Sequence, residues 1–471
     1  MPILLPPSDP FAISVPVLIA GGGACGLTAA LAARGAGAEV LILEKDAIPR
    51  GTTSMSQGTM CAAGTRAQKD AGIEDSPEQF FEDVMAKVDG KTDPDFVRVM
   101  TREAAPTIDW LSADHDIPFA VDTSWKGLGH SVQRLHAPPE KTGEDLMGRL
   151  LQAVERAGAD LLTDANLTDL FADETGHVLG VRVARPDGSH EDIGCGALVL
   201  ATCGFASNPD MIAEFIPDMA GAHVFTWENS VGDGVRWGMG LGGAVADMTS
   251  FQGYGALAYP QELLFNYNYV IDGGVQVNRD GERFSDEMAD VSGQGVKVMR
   301  QPENTAYMIY DETLHDRYKH LHETRQALEI GAVKKGESVA DLAAALSIPV
   351  DALQQTLANM SDAKAGKRDD AWGRDFSGTH DLVPPYYGIR VTGAIYHTQG
   401  GLDVDEHAQV KRVGGGVLPN LFAGGGAARG MSGPTCSGYI PASGICMAMT
   451  LGRLAGQAAA RLTSQADQAP R

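Results

Sequence analysis

The sequence predicts an α/β fold in which one domain is interrupted by a second, mainly helical α+β domain. A glycine-rich turn joins an apolar strand to a helix near the N-terminus, the sequence becomes more polar and helical between about 250 and 393, and glycine-rich apolar segments then return. The 471 residues also exceed what one ordinary core holds. We therefore predict one domain from residues 1–249 and 394–471 and a cap domain from residues 250–393.

The first element has the pattern of a dinucleotide-binding βαβ unit. A strand, a glycine-rich turn and an Ala-rich helix occupy residues 17–38, and a second apolar strand ends at Glu44. The turn contains G-x-G-x-x-G, formed by Gly21, Gly23 and Gly26. These glycines permit a tight turn, close approach of a pyrophosphate and close packing of the helix, while an acid after the second strand can bind a ribose. The pattern predicts a Rossmann-like domain.

The remaining elements follow from periodicity and turn residues. Residues 177–195 alternate around an Asp-Gly turn, which predicts a hairpin, and residues 197–205 predict a buried strand that ends in glycine. In the cap, residues 274–284 predict a polar hairpin and residues 311–371 several helices. The helix boundaries expected in the rest of the chain are a capping box at Ser338–Asp341, a start at Pro349 and Asp351, and a final Ala-rich helix from Ser443 to Arg461.

Composition excludes several classes of partner. A net charge of −24 disfavours binding to nucleic acid and to anionic membranes. No apolar run reaches the ~18 residues of a membrane span, and the N-terminal segment is interrupted by prolines and lacks a basic region. The six cysteines are scattered, with no C-x-x-C pair. We expect a cytoplasmic protein with reduced thiols and no metal site.

The glycine motif alone does not distinguish NAD from FAD, but several further segments do. The sequence resembles the fumarate reductase/succinate dehydrogenase flavoprotein superfamily, which includes the 3-ketosteroid dehydrogenases. The matching segments span most of the chain: GGGACG with Glu44-Lys45, GTTSMSQG at 51–58, ATCGF at 201–205 (ATGGF in the family), VGDGV at 231–235, VNRDGERF at 277–284, YHTQGGLDVDEHAQV at 396–410 and NLFAGGGAARG at 420–430.

The resemblance implies FAD as the cofactor. Some members attach it through a His in the early loop; no His lies between Asp46 and Gly64, so noncovalent FAD is expected. Gly426 is a departure, since the family often has an acid or Asn there. The expected FAD contacts are Gly21, Gly23, Ala24, Cys25, Gly26, Glu44, Lys45, Gly51, Thr52, Thr53, Ser54, Ser56, Gln57, Gly58, Asn166, Leu167, Thr202, Cys203, Asp233, Gly425, Ser443, Gly444 and Ile445.

The resemblance also implies hydride transfer between the flavin and a carbon near an activating carbonyl group. Fumarate and succinate enzymes use arginines as proton donor and carboxylate clamp. Here Val291 stands where the donor is expected, residues 251–254 replace the family's Q-x-H-P-T, and residues 431–444 replace the C-terminal clamp. A dicarboxylate would lack its countercharges, so a neutral substrate is expected.

Three residues are candidates for catalysis. Tyr439 lies four residues before Ser443, where similar ketosteroid dehydrogenases place a catalytic Tyr, Tyr254 could donate a hydrogen bond, and His397 matches the family's HTxGG. We expect α,β-dehydrogenation of a small-molecule carbonyl compound, a cyclic ketone or 3-ketosteroid-like molecule. Tyr439 would remove the Cα proton and flavin N5 would take the Cβ hydride. Because no second G-x-G-x-x-G is present for a nicotinamide, reoxidation needs a separate electron acceptor.

Two alternatives stay open at this point. A fumarate-reductase-like ene reductase would need an unsaturated carboxylate held by His397 and Arg429. A flavin-binding protein without catalysis would show no bleaching with any ketone or enoate.

Overall fold

The computed structural model describes residues 3–7 and 9–468, which fall into two units. Unit 1 contains Met1–Phe215, Thr226–Phe251 and His397–Arg471, and unit 2 contains Ile216–Phe225 and Gln252–Tyr396. The segment 216–225, assigned from sequence to the first domain, belongs to unit 2 because His223 and Val224 pair with Ala394 and Ile395.

The bounds of the regular elements are as follows. The strands are β1 (Ile3–Leu4), β2 (Ile13–Ala20), β3 (Val40–Leu43), β4 (Met60–Cys61), β5 (Ala120–Val121), β6 (Leu135–Ala137), β7 (Asp160–Leu162), β8 (Asn166–Ala172), β9 (Val178–Ala184), β10 (His190–Leu200), β11 (His223–Val224), β12 (Val245–Ala246), β13 (Phe251–Ala258), β14 (Leu263–Leu264), β15 (Val275–Val277), β16 (Thr305–Asp311), β17 (Lys334–Gly336), β18 (Tyr386–Thr398), β19 (Gly401–Leu402), β20 (Gln409–Lys411) and β21 (Val417–Ala423). The helices are α1 (Ala24–Gly35), α2 (Gly51–Ser54), α3 (Arg66–Asp70), α4 (Pro77–Lys87), α5 (Pro94–Asp114), α6 (Gly143–Arg156), α7 (Pro209–Phe215), α8 (Asp233–Gly240), α9 (Asn268–Ile271), α10 (Val291–Met299), α11 (Glu312–Tyr318), α12 (His322–Glu329), α13 (Val339–Leu346), α14 (Val350–Lys364) and α15 (Ser443–Gln468).

Unit 1 is built on a mixed sheet with a parallel centre. Strands β10, β2, β3 and β7 run parallel in that order, and β21 joins the other side of β10, also in parallel. Strands β8 and β9 extend the sheet in antiparallel fashion, and β9–β10 is the hairpin predicted around Asp187. Strands β2 and β10 become continuously apolar and buried towards their carboxyl ends, at residues 17–20 and 197–200, as expected where helices cover both faces of such a sheet.

Helix α1 and the long final helix α15 approach each other closely at two glycines of α15. A Cβ at Gly452 would lie 2.4 Å from the Cys25 carbonyl oxygen, and one at Gly456 would lie 2.1 Å from the Ala29 carbonyl oxygen. The small residues of both helices therefore permit backbone contact, which fixes the start of α15 relative to the glycine-rich turn before α1.

Unit 2 contains more strand than its sequence predicts. Strands β14, β13, β18, β16 and β15 form a sheet in that order, joined at β18 by β11 and β17, and helices α9–α14 pack around it. Short apolar runs such as β16 cannot be told from buried helix by periodicity alone. The predicted helix starts are present: α13 is capped by Ser338 and α14 follows Pro349.

The hairpin predicted at residues 274–284 is wrong. A tight turn forms, in which the Asn278 N–H donates to the Glu282 carbonyl at 2.8 Å, but only β15 is a strand and it pairs with β16. The local turn chemistry is correct, and pairing with the apolar β16 prevails over the polar return segment. Within the described ranges, none of the helices has the length and apolarity that crossing a membrane requires.

Candidate active site

The carboxyl ends of five parallel strands of unit 1 meet at one edge of the sheet. A cavity opens there, and it is lined by the residues that follow β2, β3, β7, β10 and β21. Ligands bind at this edge of open α/β sheets because loops and helix N-termini converge there. The predicted contacts that line the cavity are Gly21, Gly23, Ala24, Cys25, Glu44, Lys45, Gly51, Thr52, Thr53, Asn166, Leu167, Thr202, Cys203, Asp233 and Gly425.

Each of the three motif glycines is suited to its position for a different structural reason. Gly21 has φ +110°, and a Cβ there would lie 2.3 Å from the Ala201 carbonyl oxygen. A Cβ at Gly26 would lie 1.8 Å from the Gly21 carbonyl oxygen, so Gly26 packs the helix and does not line the cavity. A Cβ at Gly23 would meet nothing nearer than Thr53 Oγ1 at 3.6 Å. The space above Gly23 thus belongs to the cavity, which fits the approach of a pyrophosphate.

Glu44 ties the turn to the second strand. Its Oε2 accepts from the Gly22 N–H at 2.7 Å and its Oε1 from the Asp46 N–H at 2.9 Å. Burial raises the pKa of Glu44, and these backbone hydrogen bonds oppose that shift. The carboxylate lines the cavity and retains free lone pairs, so it can accept from ribose hydroxyls.

A second helix begins at the same cavity. Asp233 is the first residue of α8, and the Thr202 hydroxyl accepts from the Gly234 N–H at 3.1 Å. Burial raises the pKa of Asp233, while Lys45 and Arg236 oppose that shift. Cys203 adopts φ +62°, a conformation that favours glycine, as in the family pattern ATGGF.

Several lining residues were missed by the sequence analysis. The Trp227 indole donates to Asp46 at 2.6 Å and the Asn229 amide donates to the same carboxylate at 2.7 Å, which closes one wall of the cavity. Trp237 also lines the cavity, and its buried indole N–H has no hydrogen-bond partner among the described residues. An unpaired buried donor on a cavity-lining residue fits a polar ligand there. The other unpredicted lining residues include Ser230, Gly426 and Ala448.

The departure at Gly426 has a steric reason. A Cβ at this position would lie 2.5 Å from the Gly204 nitrogen and 3.0 Å from the Cys203 carbonyl carbon. No acid or Asn fits without displacing the 202–204 turn.

Part of the early loop serves the fold and does not line the cavity. Ser56 Oγ donates to the Thr53 carbonyl at 2.7 Å and accepts from the Gly58 N–H at 2.9 Å. Gly58 has φ +64° and packs against the Thr142 carbonyl oxygen. Gln57 is exposed and Ser54 Oγ donates to the Gly51 carbonyl at 3.1 Å. These four residues remain predicted FAD contacts that the cavity does not include.

The start of α15 lies beside the candidate catalytic residues. Ser443, Gly444 and Ile445 form its first turn but do not line the cavity. The buried Ser443 hydroxyl has no hydrogen-bond partner among the described residues. A Cβ at Gly444 would lie 3.0 Å from His397 Nε2, so the imidazole edge faces this helix end.

The structure brings Tyr439 and His397 together from distant parts of the sequence. Their ring centroids are 6.1 Å apart and the rings are nearly perpendicular. Gln399 orients the imidazole: its amide nitrogen lies 3.1 Å from His397 Nδ1, and its Oε1 accepts from Ser432 at 3.0 Å.

Both rings are uncharged at neutral pH. Burial lowers the pKa of His397 to about 4, although a hydrogen bond to the Thr398 carbonyl opposes the shift. Burial raises the pKa of Tyr439, and the neighbouring Cys61 adds to the effect, while a backbone hydrogen bond with Ala442 opposes it. The pair can therefore exchange a proton with a substrate, but it offers no charge to bind one.

Arg429 is committed to other partners. Its guanidinium donates to Asp247 at 2.6 Å and Asp403 at 3.4 Å, lies 3.8 Å from Asp93, and is 7% exposed. It is a structural cation paired with three acids. The geometry therefore does not support a role for Arg429 as the countercharge of a substrate carboxylate.

Tyr254 lies in unit 2. Its hydroxyl donates to the Phe265 carbonyl at 2.6 Å, and its ring packs with Tyr267 and Tyr396. Burial raises its pKa, against a weaker opposing effect of the backbone at Tyr267. The proton expected for a substrate oxygen is thus already used in a hydrogen bond.

Comparison with known proteins identifies the cofactor. The model of the family described as "FAD binding domain" matches residues 16–439. The chain is 28% identical over 456 residues to a fumarate reductase (cytochrome) from Shewanella frigidimarina, which covers 96% of this chain and 78% of that protein.

Two solved structures share the fold. The open conformation of a flavocytochrome c3 fumarate reductase matches with a TM-score of 0.82 and 27% identity, over 96% of this chain and 79% of that one. A 3-ketosteroid-Δ4-(5α)-dehydrogenase from Rhodococcus jostii, in complex with 4-androstene-3,17-dione, matches with a TM-score of 0.78 and 24% identity, over 96% and 98% of the two chains.

Proposed function

Because the chain belongs to the FAD binding domain family, within the superfamily of fumarate reductase and succinate dehydrogenase flavoproteins, we propose that it desaturates a neutral carbonyl compound at its Cα–Cβ bond. FAD is its cofactor, and the chain is an oxidoreductase of a family that acts on CH–CH and C=C groups. A cyclic ketone or 3-ketosteroid-like molecule is the proposed substrate. We further propose noncovalent FAD in a Rossmann-like domain formed around β2, α1 and β3.

The observation that carries the proposal is that neither of the two residues expected to hold a carboxylate, His397 and Arg429, offers a free positive charge. His397 is neutral and Arg429 is neutralised by acids. A dicarboxylate bound there would have no countercharge to offset its desolvation, whereas a neutral carbonyl oxygen needs only hydrogen-bond donors.

The proposed roles follow from position. When bound, FAD supplies the hydride acceptor, and the turn at Gly23, the unpaired Trp237 indole and the carboxylate of Glu44 would hold it. Tyr439 removes the Cα proton, and His397 and the first N–H groups of α15 polarise the carbonyl group. A phenolate at Tyr439 would gain from the positive end of α15, which begins four residues later.

A second candidate function is the reverse reaction, reduction of a neutral α,β-unsaturated carbonyl compound. The raised pKa of Tyr439 favours it, because a protonated phenol is the form that donates a proton to Cα. The similarity to a fumarate reductase points in the same direction.

Anaerobic half-reactions test the proposal. FAD-loaded protein is mixed with saturated cyclic ketones, steroids and succinate, and loss of the oxidised flavin absorbance is followed. Dithionite-reduced protein is mixed separately with enones and fumarate. We expect neutral ketones to bleach the flavin, and Tyr439→Phe to slow bleaching by about 10²–10⁴-fold while FAD stays bound.

Tyr318→Phe is the matched control, since this phenol pairs with Asp272 in unit 2. The proposal is wrong if succinate bleaches the flavin faster than every ketone, or if Tyr439→Phe reacts at the wild-type rate. Rapid oxidation by enones without any bleaching by ketones would select the reductive candidate.

A further inference from the structure

The turn that carries Tyr439 is covered by a loop far away in the sequence. Gly127 and Gly129 both have left-handed backbone conformations, with φ of +82° and +87°. A Cβ at Gly127 would lie 3.4 Å from the Pro441 ring, and one at Gly129 would lie 3.6 Å from Ile440 Cγ1. The loop 127–130 thus packs directly against the two residues that follow Tyr439.

One side chain of this loop is hydrogen-bonded to the turn. His130 Nε2 lies 3.0 Å from the Pro441 carbonyl oxygen, and the side chain is buried, with 3% of the residue exposed. On the other side of the ring, Arg134 Nη1 lies 3.3 Å from His130 Nδ1. A guanidinium can only donate, so Nδ1 accepts and the ring proton is placed on Nε2, where it donates to Pro441.

The anchor behind His130 is itself fixed. Arg134 is fully buried and donates to Asp75 at 2.9 and 3.1 Å and to Asp83. The arginine therefore has little freedom, and the chain of contacts runs from two acids through Arg134 and His130 to the turn.

We propose that His130 is a positioning residue for Tyr439. His130 holds the turn Tyr439–Ala442 through its hydrogen bond to the Pro441 carbonyl, while Arg134 fixes the tautomer of the His130 ring. The inference rests on the proposed role of Tyr439 in proton transfer. Pro441 lies two residues after Tyr439 and has no backbone N–H. A hydrogen bond can therefore hold the backbone of this residue only through its carbonyl group. A displacement of about 1 Å at a reacting group can cost about 10²-fold in rate.

The test compares three variants of the FAD-loaded protein. His130→Phe keeps a ring of similar size and removes both hydrogen bonds, and His130→Gln keeps one donor and one acceptor. His136→Phe is the matched control, because His136 is also a buried histidine and its hydrogen bonds go to Thr65 and the Arg134 carbonyl.

Two readouts are measured: amide hydrogen exchange of residues 436–446, which needs no substrate, and the anaerobic half-reaction. In His130→Phe we expect exchange at least about 10-fold faster and the maximal rate of flavin bleaching about 10–100-fold lower, with the substrate concentration that gives half this rate within about twofold of wild type. His130→Gln should stay within about threefold of wild type in both readouts. His136→Phe should lower Tm and leave both readouts unchanged.

Unchanged exchange in His130→Phe overturns the anchoring role. Faster exchange with an unchanged half-reaction, or the same two changes in His136→Phe, overturns positioning. If Tyr439→Phe reacts at the wild-type rate, the proposed function itself fails and positioning fails with it, while hydrogen exchange still decides whether His130 anchors the turn.

Discussion

Gly23 and Gly26 lie three residues apart in one motif, yet the structure predicts opposite consequences for the same substitution. Gly23→Ala adds a methyl group to open cavity space, and Gly23 has φ −81°, which alanine adopts freely. Gly26→Ala adds it 1.8 Å from the Gly21 carbonyl oxygen, where real Cβ atoms essentially never approach within 3.0 Å.

The magnitudes follow from these distances. Gly23 precedes α1 as its N-cap, where alanine costs at most about 1 kcal/mol of unfolding free energy. If a pyrophosphate contacts this turn, the methyl group displaces it from a backbone N–H, and losing one charge-assisted hydrogen bond costs about 1.5–3 kcal/mol. The Kd for FAD should then rise about 10–150-fold. Gly26→Ala should lower the unfolding free energy by about 3 kcal/mol or more, since the obstruction is backbone.

Apo-protein is titrated with FAD by fluorescence quenching, and its stability is measured by urea unfolding. Gly35→Ala is the control: it lies in the same helix, its added Cβ meets nothing within 4 Å, and alanine should be neutral or stabilise by up to about 1 kcal/mol with no change in Kd. Wild-type affinity in Gly23→Ala would refute the placement of the pyrophosphate. If Gly23→Ala destabilised the apo-protein as much as Gly26→Ala does, the space above Gly23 could not be open cavity.

Three further predictions concern other parts of unit 1. Burial lowers the pKa of His130 and of His136 from 6.5 to about 4, so their contribution to stability is complete above pH 6.5 and is lost as pH falls towards 4. Urea unfolding should show a loss of up to about 2.7 kcal/mol per pH unit from these two groups, in addition to the loss from His397 in the same pH range. His130→Phe should reduce the slope by up to about 1.4 kcal/mol per pH unit, and an unchanged slope would contradict the neutral state of His130. Arg429→Met leaves Asp247 without its buried cation and should cost about 3–5 kcal/mol in the same assay, so a loss below about 1 kcal/mol would show that the ion pair is dispensable. Trp227→Phe removes the donor to the Asp46 carboxylate and should raise the Kd for FAD, measured by titration, about 5–30-fold. An unaltered Kd would show that the wall formed by Trp227 does not contribute to FAD binding.

The sequence can predict those site residues that directly follow the parallel strands of the sheet. Apolar strands that end in glycine or small polar residues must converge at one sheet edge, so Gly21, Glu44, Thr202 and Gly425 can be grouped from the order of strands and turns along the chain. The sequence predicts a ribose-binding acid at Glu44, whereas the hydrogen bond that Glu44 accepts from the Gly22 N–H is seen only in the structure.

The rest depends on contacts without a local signal. Trp227 and Asn229 lie in a loop with no periodicity, and they reach the cavity only because both donate to Asp46, more than 180 residues earlier. His130 likewise contacts Pro441 across 311 positions. The hairpin error at residues 274–284 has the same origin, since β15 pairs with β16 and not with the adjacent segment.

The proposed preference for a neutral substrate depends on the charge state of the candidate site. Arg429 has three acids within 4.0 Å. Lys411 also pairs with Asp93 and Asp403, but freeing Arg429 for a substrate carboxylate would leave Asp247, which is 10% exposed, without a cation. His397 could become a cation only by overcoming the burial that holds its pKa at about 4. Either route to a carboxylate site costs free energy that a neutral carbonyl compound does not require. The same burial keeps the Tyr439 phenol protonated, so the direction of reaction depends on how far the start of α15 and the bound substrate lower its pKa. A desaturase of this design should therefore react faster as pH rises, and a reductase should react more slowly.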